Sequence, residues 1–531
     1  MKTKKRESNK KMLNCFNTEF WLILIIIFAF FLRLIFFVGM GYNDDSYYLE
    51  TVGKIYKGYG FHPSSYVQWD IRIGLIFPVV LMWKLFSINE LSTSLFFILC
   101  SLGSIVITYF IGTELFNKNV GLISAFLLSI FPLEIIYATQ VGPDIPFQFT
   151  SALAILFLIK SQKSKKRKTL FSFFSGVFLG VSYLFKEMLP IIILIMIFYI
   201  VWQNKLNKKK FFYVFRKDAM TNYFILLLGF LLIFFSQVFY FYIVTGQWFF
   251  GEKVREYAFT HDLNSNSDLL WYPTVMFDVR STFFNWFEDL PIFGFTYYFV
   301  ILAIVYLILK KELGKSLFLI VWFLLFFAFF EYGLQFFCTK IMNYCVYPRH
   351  PRFLSVFSIP AMILLGNFLE FDKGKIKRIV SMIIIIFLTI TSLFYSYQSR
   401  LFLRNSMNYV KLTAEYLEKL PLKTIYVPDG WSISKLKFFF KYNDTFVNNL
   451  KLYECSAINC NISYYDNGTY ISDAYVVTWL SLYDYINQNK YPDFVKNPPE
   501  NWLLLNSIKL KNLGIMNKYN TKIYYVPPKI H

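Results

Sequence analysis

Long apolar stretches recur over roughly the first three quarters of this 531-residue chain and restrict its fold more than any other feature. Trp21–Phe37, Tyr223–Val244 and Ile379–Phe394 are examples. A helix needs about 20 mostly apolar residues to cross a hydrocarbon core roughly 30 Å thick, and these stretches reach or approach that length. Hydrophobic residues make up 56% of the chain, against about 45–50% in a soluble domain. The sequence therefore predicts a polytopic α-helical membrane protein.

The net charge of +21 follows from short basic runs between the apolar segments. Cytoplasmic loops of membrane proteins carry such an excess of Lys and Arg. No nucleic-acid motif accompanies the charge, so we expect no nucleic-acid partner. Residues 1–11 hold six Lys or Arg, which places the N-terminus in the cytoplasm. The apolar segment that follows is long and lacks a small-residue cleavage site, so it is predicted to be an uncleaved first helix rather than a signal peptide.

Residues 71–86 are apolar but short, and they carry Arg72, Pro78 and Lys84. If they spanned the membrane, the basic runs 160–168 and 205–217 would face outside, against the charge rule. We therefore predict an interfacial helix lying on the outer surface. About eleven spans remain, at roughly 20–39, 92–114, 120–137, 145–160, 170–185, 188–202, 221–245, 293–310, 316–337, 353–370 and 379–396.

An odd number of spans puts the C-terminus outside the cytoplasm. Residues 397–531 lose the long apolar runs and contain alternating stretches such as 423–427 and 522–526, which are typical of strands. We therefore predict a transmembrane module over residues 1–396 and a small extracytoplasmic α/β domain over residues 397–531. The predicted location is the cell membrane, with many passes.

Sequons and cysteines agree with an external C-terminal region. Asn443, Asn461 and Asn467 each begin an Asn-x-Ser/Thr sequon, a pattern that is common by chance. Cys455 with Cys460, and Cys338 with Cys345, are close enough in sequence to form disulfides. Two pairs of free thiols are the alternative.

Ionisable residues from distant loops collect at the predicted outer face. A carboxylate there can accept a proton from an attacking hydroxyl, and Arg or Lys can bind a phosphate whose lipid tail stays in the bilayer. The alternative is that each is an ordinary loop charge at a helix end. Besides charges in the loop after residue 245, the residues concerned are Asp44, Asp45, Asp144, Lys186, Glu187, Arg349, His350 and Arg352.

The stretch 43–48 (Asn-Asp-Asp-Ser-Tyr-Tyr) resembles the Asp-Asp/Glu-x-x-Tyr signature of GT-C membrane glycosyltransferases. The resemblance is strongest to the protein mannosyltransferase and aminoarabinose transferase superfamily. Residues 72–86 resemble that family's outer juxtamembrane helix, and Pro143-Asp144 resembles its second acidic motif. Lys186 resembles a lysine of a short external turn, and residues 348–353 resemble the Arg-aromatic stretch that opens a late span. The resemblance extends over residues 20 to about 370.

The resemblance implies a glycosyltransferase that uses a polyprenyl- or dolichyl-phosphate sugar as donor and inverts the anomeric centre. Asp44 is then the catalytic base or orienter of the acceptor hydroxyl, with Asp45 as its catalytic neighbour. The implied substrate-binding residues are Asp144, Lys186, Arg349, Arg352, Tyr48 and Arg72, with Lys186 and Arg352 on the phosphate.

The implied acceptor is a glycolipid or glycoprotein on the extracytoplasmic face, and membrane lipids surround the protein. Carboxylates could hold Mg²⁺ or Mn²⁺, but no compact ligand cluster occurs in the sequence, so neither a metal nor another cofactor is assigned. The pair Asp44-Asp45 departs from the Asp-Glu of many family members. This departure bears on the identity of the acceptor more than on the class of reaction.

Three other functions remain to be weighed. A transporter or lipid-sugar flippase should show paired repeats, or broken helices with charges near the midplane, and neither is evident in the sequence. An oligosaccharyltransferase would carry Trp-Trp-Asp, which Asp429-Gly430-Trp431 does not match. A receptor or scaffold would leave the outer acids without a role.

Overall fold

The computed structural model describes most of the chain. The described residues are 18–254, 276, 293–332, 350–427, 430–452, 471–478, 498–509 and 520–528, less 42–43, 65–67, 165, 207–215, 312, 315 and 371–373. Helices occupy the described part up to residue 417, and a five-stranded sheet with two further helices follows.

Fourteen α-helices and two 3-10 helices precede the sheet in the described residues. The 3-10 helices are Gln68–Ile71 and Pro351–Phe357. The α-helices are α1 Thr18–Ile35, α2 Asp45–Tyr56, α3 Ile73–Phe86, α4 Glu90–Leu115, α5 Lys118–Ile130, α6 Pro132–Tyr137, α7 Asp144–Lys163, α8 Lys168–Tyr183, α9 Leu189–Leu206, α10 Lys217–Thr245, α11 Thr296–Leu309, α12 Ser316–Tyr332, α13 Ser358–Phe368 and α14 Lys375–Leu417.

Seven of the described segments are long and apolar enough to cross a membrane, so the chain is a multi-pass helical membrane protein. They are Thr18–Ile35, Glu90–Leu115, Asp144–Lys163, Leu189–Leu206, Ala219–Thr245, Pro351–Phe368 and Ile376–Leu417. The other four predicted spans contain the shorter helices α5, α8, α11 and α12, of 13, 16, 14 and 17 residues. The count of eleven and the side on which each terminus lies stay predictions.

The predicted span 120–137 is divided in two. Helix α5 ends at Ile130 and α6 begins at Pro132, with Phe131 in an extended conformation between them. Proline has no backbone N–H to continue the first helix, and it disfavours helical geometry at the residue before it. The interruption places α6, which carries Glu134, as a separate buried turn within the bundle.

Residues 73–86 form helix α3, as predicted. Its 14 residues reach about 21 Å, less than a hydrocarbon core requires. One side is buried, including Leu75, Val79 and Trp83, while Leu81 and Leu85 are exposed. That pattern suits a helix lying along a surface, and its position relative to the bilayer stays a prediction.

Glycines bring helices α8 and α10 into close contact. A Cβ added at Gly176 would lie 1.8 Å from the carbonyl oxygen of Leu226, and one at Gly229 would lie 2.4 Å from that of Phe173. Small residues let the backbones of membrane helices approach in this way. The contact anchors α8, whose C-terminal end leads directly into the turn that carries Lys186.

The sheet is built from β1 Thr424–Val427, β2 Leu450–Leu452, β3 Ala474–Thr478, β4 Leu503–Lys509 and β5 Asn520–Val526. The spatial order is β2-β1-β3-β5-β4, with β1 parallel to β2 and β3, and β5 antiparallel to β3 and β4. The strands predicted at 423–427 and 522–526 are thereby confirmed. Helices α15 Gly430–Phe439 and α16 Asp444–Val447 follow β1.

Helix α14 is 43 residues long and runs without a break through residue 396. It therefore connects the bundle to the sheet as one continuous rod, and Tyr416 near its end donates a hydrogen bond to the Leu505 carbonyl of β4 (3.2 Å). The division at residues 396 and 397 stays a prediction.

Several predicted features lie outside the described residues. These are Arg349, the four cysteines Cys338, Cys345, Cys455 and Cys460, and the sequons at Asn461 and Asn467. Asn443 is described: it is exposed, and its side chain caps α16 by accepting a hydrogen bond from the Thr445 amide (3.0 Å).

Candidate active site

The acidic pair lies where helix α2 begins. Asp44 occupies the N-cap position, but its side chain makes no capping bond. The carboxylate instead accepts a 2.5 Å hydrogen bond from Nη2 of Arg352 and keeps 25% of its surface exposed. Asp44 is thus a partly accessible carboxylate whose ion-pair partner among the described residues is Arg352.

Asp45 has a different environment. Its Oδ2 accepts hydrogen bonds from the amides of Gly41 (2.8 Å) and Val141 (3.3 Å), and the residue is 1% exposed. Burial raises the pKa of Asp45 to about 6, although the two amides and Arg352 favour the ionised form. The carboxylate fastens the turn before α2 to the turn before α7.

Arg352 joins the two acidic motifs. Its Nε lies 3.4 Å from Oδ2 of Asp144, while its Nη2 contacts Asp44. The other oxygen of Asp144 is 2.5 Å from Nζ of Lys186, and both of these side chains are almost completely buried. Asp44, Arg352, Asp144 and Lys186 therefore form one continuous chain of ion pairs.

The 3-10 helix 351–357 fixes the position of Arg352. The Nδ1 of His350 accepts a hydrogen bond from the Arg352 amide (3.2 Å), and Ser355 donates to the Arg352 carbonyl (2.8 Å). The ring of Phe353 lies beneath both cations, with Lys186 Nζ 3.6 Å and Arg352 Cζ 5.6 Å from its centroid. An aromatic face stabilises cations at this range.

Arg72 and Tyr48 lie beside the chain of ion pairs. Arg72 precedes α3, donates a hydrogen bond to the Tyr48 hydroxyl, and has Nη2 3.5 Å from Oε2 of Glu187. Both Arg72 and Tyr48 are buried. They tie α2, α3 and the turn at residues 186–187 together around the site.

Burial and neighbouring charges together determine the protonation of three groups outside the spans. Burial opposes ionisation of Asp44, but the adjacent Arg352 outweighs it and holds the pKa of that carboxyl below its usual value. Burial lowers the pKa of His350 to about 3, so its ring is neutral. Burial also lowers the pKa of Lys186 to about 8, although Asp144 favours the charged form.

Seven of the eight predicted site residues lie in the described part of the chain, and the structure brings them together. They come from the starts of α2 and α7, the turn after α8, the residue before α3, and the 3-10 helix at 351–357. Arg349 is the eighth and lies outside the described residues.

A buried polar network behind the site was not predicted from the sequence. Gln148, with its amide oriented to satisfy its neighbours, donates to the Ser355 carbonyl (3.3 Å) and to Oε2 of Glu134 (3.1 Å). The other oxygen of Glu134 accepts from Ser101 (2.8 Å), which in turn accepts from Arg33 (2.8 Å from Nη2). Arg33 and Glu134 are charged residues within predicted apolar spans, and this pattern could have identified them from the sequence.

Among the described residues, no three His, Cys, Asp or Glu side chains come together as metal ligands. The acids of the site pair with Arg352 and Lys186 instead. Each of these two buried cations therefore has a carboxylate partner, which compensates its charge.

Part of the sequence matches a known family. Residues 76–238 match the model described as dolichyl-phosphate-mannose-protein mannosyltransferase. An uncharacterized protein of Aquifex aeolicus (strain VF5) is 28% identical over 163 residues, which are 29% of this chain and 31% of that protein. The chain thus matches less than a third of that relative's length. The family match includes Asp144 and Lys186, whereas Asp44 and Arg352 lie outside it.

Solved structures share the fold over almost the whole chain. ArnT from Cupriavidus metallidurans in the apo state has a TM-score of 0.60 at 12% identity, covering 95% of this chain and 97% of ArnT. The same protein bound to undecaprenyl phosphate has a TM-score of 0.58 at 11% identity, with the same coverage. At sequence identities this low, the similarity shows a shared fold and does not by itself show a shared function. The chain therefore has the fold of the GT-C membrane glycosyltransferases, as the resemblance to the protein mannosyltransferase and aminoarabinose transferase superfamily implied.

Proposed function

We propose that the protein transfers a sugar from a polyprenyl-phosphate donor to a hydroxyl of a glycolipid or glycoprotein acceptor. The observation that carries the proposal is the contact of Arg352 with both Asp44 and Asp144, the latter paired with Lys186. It places a partly exposed carboxylate next to two buried cations. A base for a hydroxyl and a cradle for a phosphate are the two parts that such a transfer needs.

The reaction is a displacement at the anomeric carbon. The acceptor oxygen attacks that carbon from the face opposite the phosphate, the bond from carbon to phosphate oxygen breaks, and its electron pair leaves with the polyprenyl phosphate. The hydroxyl proton passes to the carboxylate of Asp44. Attack from the opposite face gives inversion.

Donor binding prepares Asp44 for this role. Arg352 contacts the carboxylate of Asp44 at 2.5 Å. A donor phosphate offers Arg352 stronger, bidentate acceptors and draws the guanidinium toward itself. Asp44 is then released to accept the hydroxyl, so the carboxylate becomes a base only when a donor is present.

Lys186 and Arg352 are the proposed phosphate contacts, with Arg349 as a further one. Burial makes their charges effective, because few waters compete with the ligand. Asp144 contacts both cations and holds them in place. Tyr48 and Arg72 shape the wall beside them, and Asp45 holds the turn that presents Asp44.

The lipid part of the donor agrees with the location of the site. Asp144 and Arg352 lie at the first turns of two apolar segments, Asp144–Lys163 and Pro351–Phe368, so a phosphate can reach them while its tail stays in the hydrocarbon. ArnT, which shares the fold, was solved with undecaprenyl phosphate bound. Together with the predicted cytoplasmic N-terminus, this supports transfer on the extracytoplasmic face.

The domain division belongs to the same proposal. Residues 1–396 form the transferase module that holds the donor, and residues 397–531 form the extracytoplasmic domain above it. The sheet at the C-terminal end follows the long helix α14.

The experiment measures transfer of radiolabel from a panel of undecaprenyl- and dolichyl-phosphate sugars in membranes that contain the protein. The wild type should move label to lipid or protein, and Asp44→Asn should abolish transfer while staying in the membrane. Asp473→Asn, in the exposed turn before β3, is the control that should transfer normally. Wild-type membranes that move no label from any donor, with the protein folded, would overturn the proposal in favour of a flippase.

A further inference from the structure

Helix α2, which carries the acidic pair at its start, is held on one side by residues of the C-terminal region. We call residues 430–442, which comprise α15 and the turn after it, the docking segment. Glu50 of α2 accepts hydrogen bonds from Ser434 (3.0 Å) and from Lys437 (3.0 Å) of this segment. The Tyr442 hydroxyl donates to the Leu49 carbonyl of α2 at 2.6 Å.

The contact of Tyr442 with α2 depends on a glycine. A Cβ at Gly53 would lie 2.4 Å from Cε1 of the Tyr442 ring, so the ring rests directly on the helix backbone. Trp83 of α3 packs beside Tyr442 and Phe438, with centroid distances of 5.7 and 6.1 Å. The docking segment is therefore packed against α2 and α3 together.

The turn that presents Tyr442 has an unusual backbone. Lys441 and Tyr442 both have positive φ, at 52° and 54°, which is uncommon outside glycine. Such conformations are unfavourable and persist only where the surroundings hold them. Two in succession indicate that the position of Tyr442 against α2 is maintained at the expense of local stability.

The contacts with the docking segment and with the site occupy different sides of α2. Residues 49, 50 and 53 lie on the flank that faces the docking segment, whereas Tyr48 and Thr51 face Arg72 and Asp70. Glu50 lies six residues after Asp44, about 9 Å along the axis. A shift of the docking segment is therefore transmitted along a rigid helix to the carboxylate of Asp44.

We propose that Lys437 and Tyr442 are positioning residues, which set the placement of Asp44 through Glu50, Leu49 and Gly53 of α2. The inference rests on the proposed transfer reaction and deepens it, since it gives the C-terminal region a part in orienting the base. Loss of these contacts should lower kcat, because the reacting groups must be aligned, and leave the donor KM unchanged, because the phosphate contacts are on other elements.

The test uses the full-length protein in lipid nanodiscs and three variants, Gly53→Ala, Lys437→Ala and Tyr442→Phe. Gly53→Ala is the most specific variant. Alanine strengthens an isolated helix, so a loss of activity would follow from displacement of the Tyr442 ring. We expect kcat to fall about tenfold with donor KM unchanged, and backbone amides 45–52 to exchange hydrogen faster. The pair Glu50→Lys with Lys437→Glu should recover most of the rate that either change alone removes.

Lys411→Ala is the matched control. Lys411 of α14 forms a 3.1 Å ion pair with Glu90, so it also joins the C-terminal part of the chain to the bundle, but through α4 rather than α2. It should leave kcat and the exchange of amides 45–52 unchanged. An equal fall in kcat for Lys411→Ala would point to general loosening and overturn the inference.

The outcomes separate the inference from the function on which it rests. An active wild type, with variants whose kcat or amide exchange is unchanged, overturns the positioning role and leaves the transferase intact. A wild type that is inactive with every donor overturns the transferase and the catalytic part of the inference together. Amide exchange then still decides whether the docking segment holds α2.

Discussion

Arg352 and Asp44 are 308 positions apart in the sequence, and their side chains meet at 2.5 Å. The same guanidinium reaches Asp144, which holds Lys186. One arginine thus connects the start of α2, the start of α7 and the turn after α8.

Arg352→Lys should weaken binding of undecaprenyl phosphate about tenfold, because a single ammonium cannot replace the bidentate geometry of a guanidinium on a phosphate. Isothermal titration of the purified protein in detergent gives the dissociation constant. Arg404→Lys is the control, since Arg404 is exposed and donates only to the Phe37 carbonyl among the bonds described for it. Equal affinity in Arg352→Lys and the wild type would remove Arg352 from the phosphate site.

Lys186 gives binding of the donor a dependence on pH. Burial lowers the pKa of Lys186 to about 8, so the amine loses its charge as the pH rises through that value. We expect affinity for undecaprenyl phosphate to decline above about pH 8 in the wild type. In Lys186→Arg the decline should be absent, because arginine stays charged. Parallel pH curves for the two proteins would assign the decline to another group.

Asp45 should make the protein less stable as the pH rises. Burial raises its pKa from 3.8 to about 6, so the folded state binds this proton more tightly than the unfolded state. The stabilisation is complete below about pH 4 and is lost as the pH rises to about 6. The difference in melting temperature, Asp45→Asn minus wild type, should therefore increase over that range and stay constant above it. A constant difference from pH 4 to 7.5 would contradict the raised pKa.

Glu134→Gln should lower the melting temperature, because Arg33 would remain buried without an opposing charge. Breaking a buried pair that is in direct contact costs about 3–5 kcal/mol, and we expect a smaller loss here because Ser101 lies between the two charges. Replacing both residues, as in Arg33→Met with Glu134→Met, should recover much of that stability. Thermal denaturation in detergent compares the single and double variants. If the double variant is no more stable than Glu134→Gln, the two charges do not compensate each other.

The membrane class, most helix positions and most of the site residues could be predicted from the sequence. Hydropathy and charge are local properties, and the apolar stretches correspond to helices with ends close to those predicted, for example 92–114 against Glu90–Leu115. The predicted span 120–137 becomes two helices because Pro132 interrupts the pattern. The predicted span 353–370 likewise begins as the 3-10 helix Pro351–Phe357 and continues as α13. The acidic motif after α1 and the arginine before α13 were visible because charges stand out beside apolar runs.

The tertiary structure determined how far each side chain is buried and which partners it contacts. It left Asp44 accessible and buried Asp45, although the two are adjacent and identical in type. It also joined Arg33 to Glu134 through Ser101, and the docking segment to α2. None of these relationships has a local signal, because each depends on how helices far apart in the sequence pack. The sequence by itself determined which segments are apolar enough to form membrane helices and which charged residues are available, and packing determined which of those residues meet.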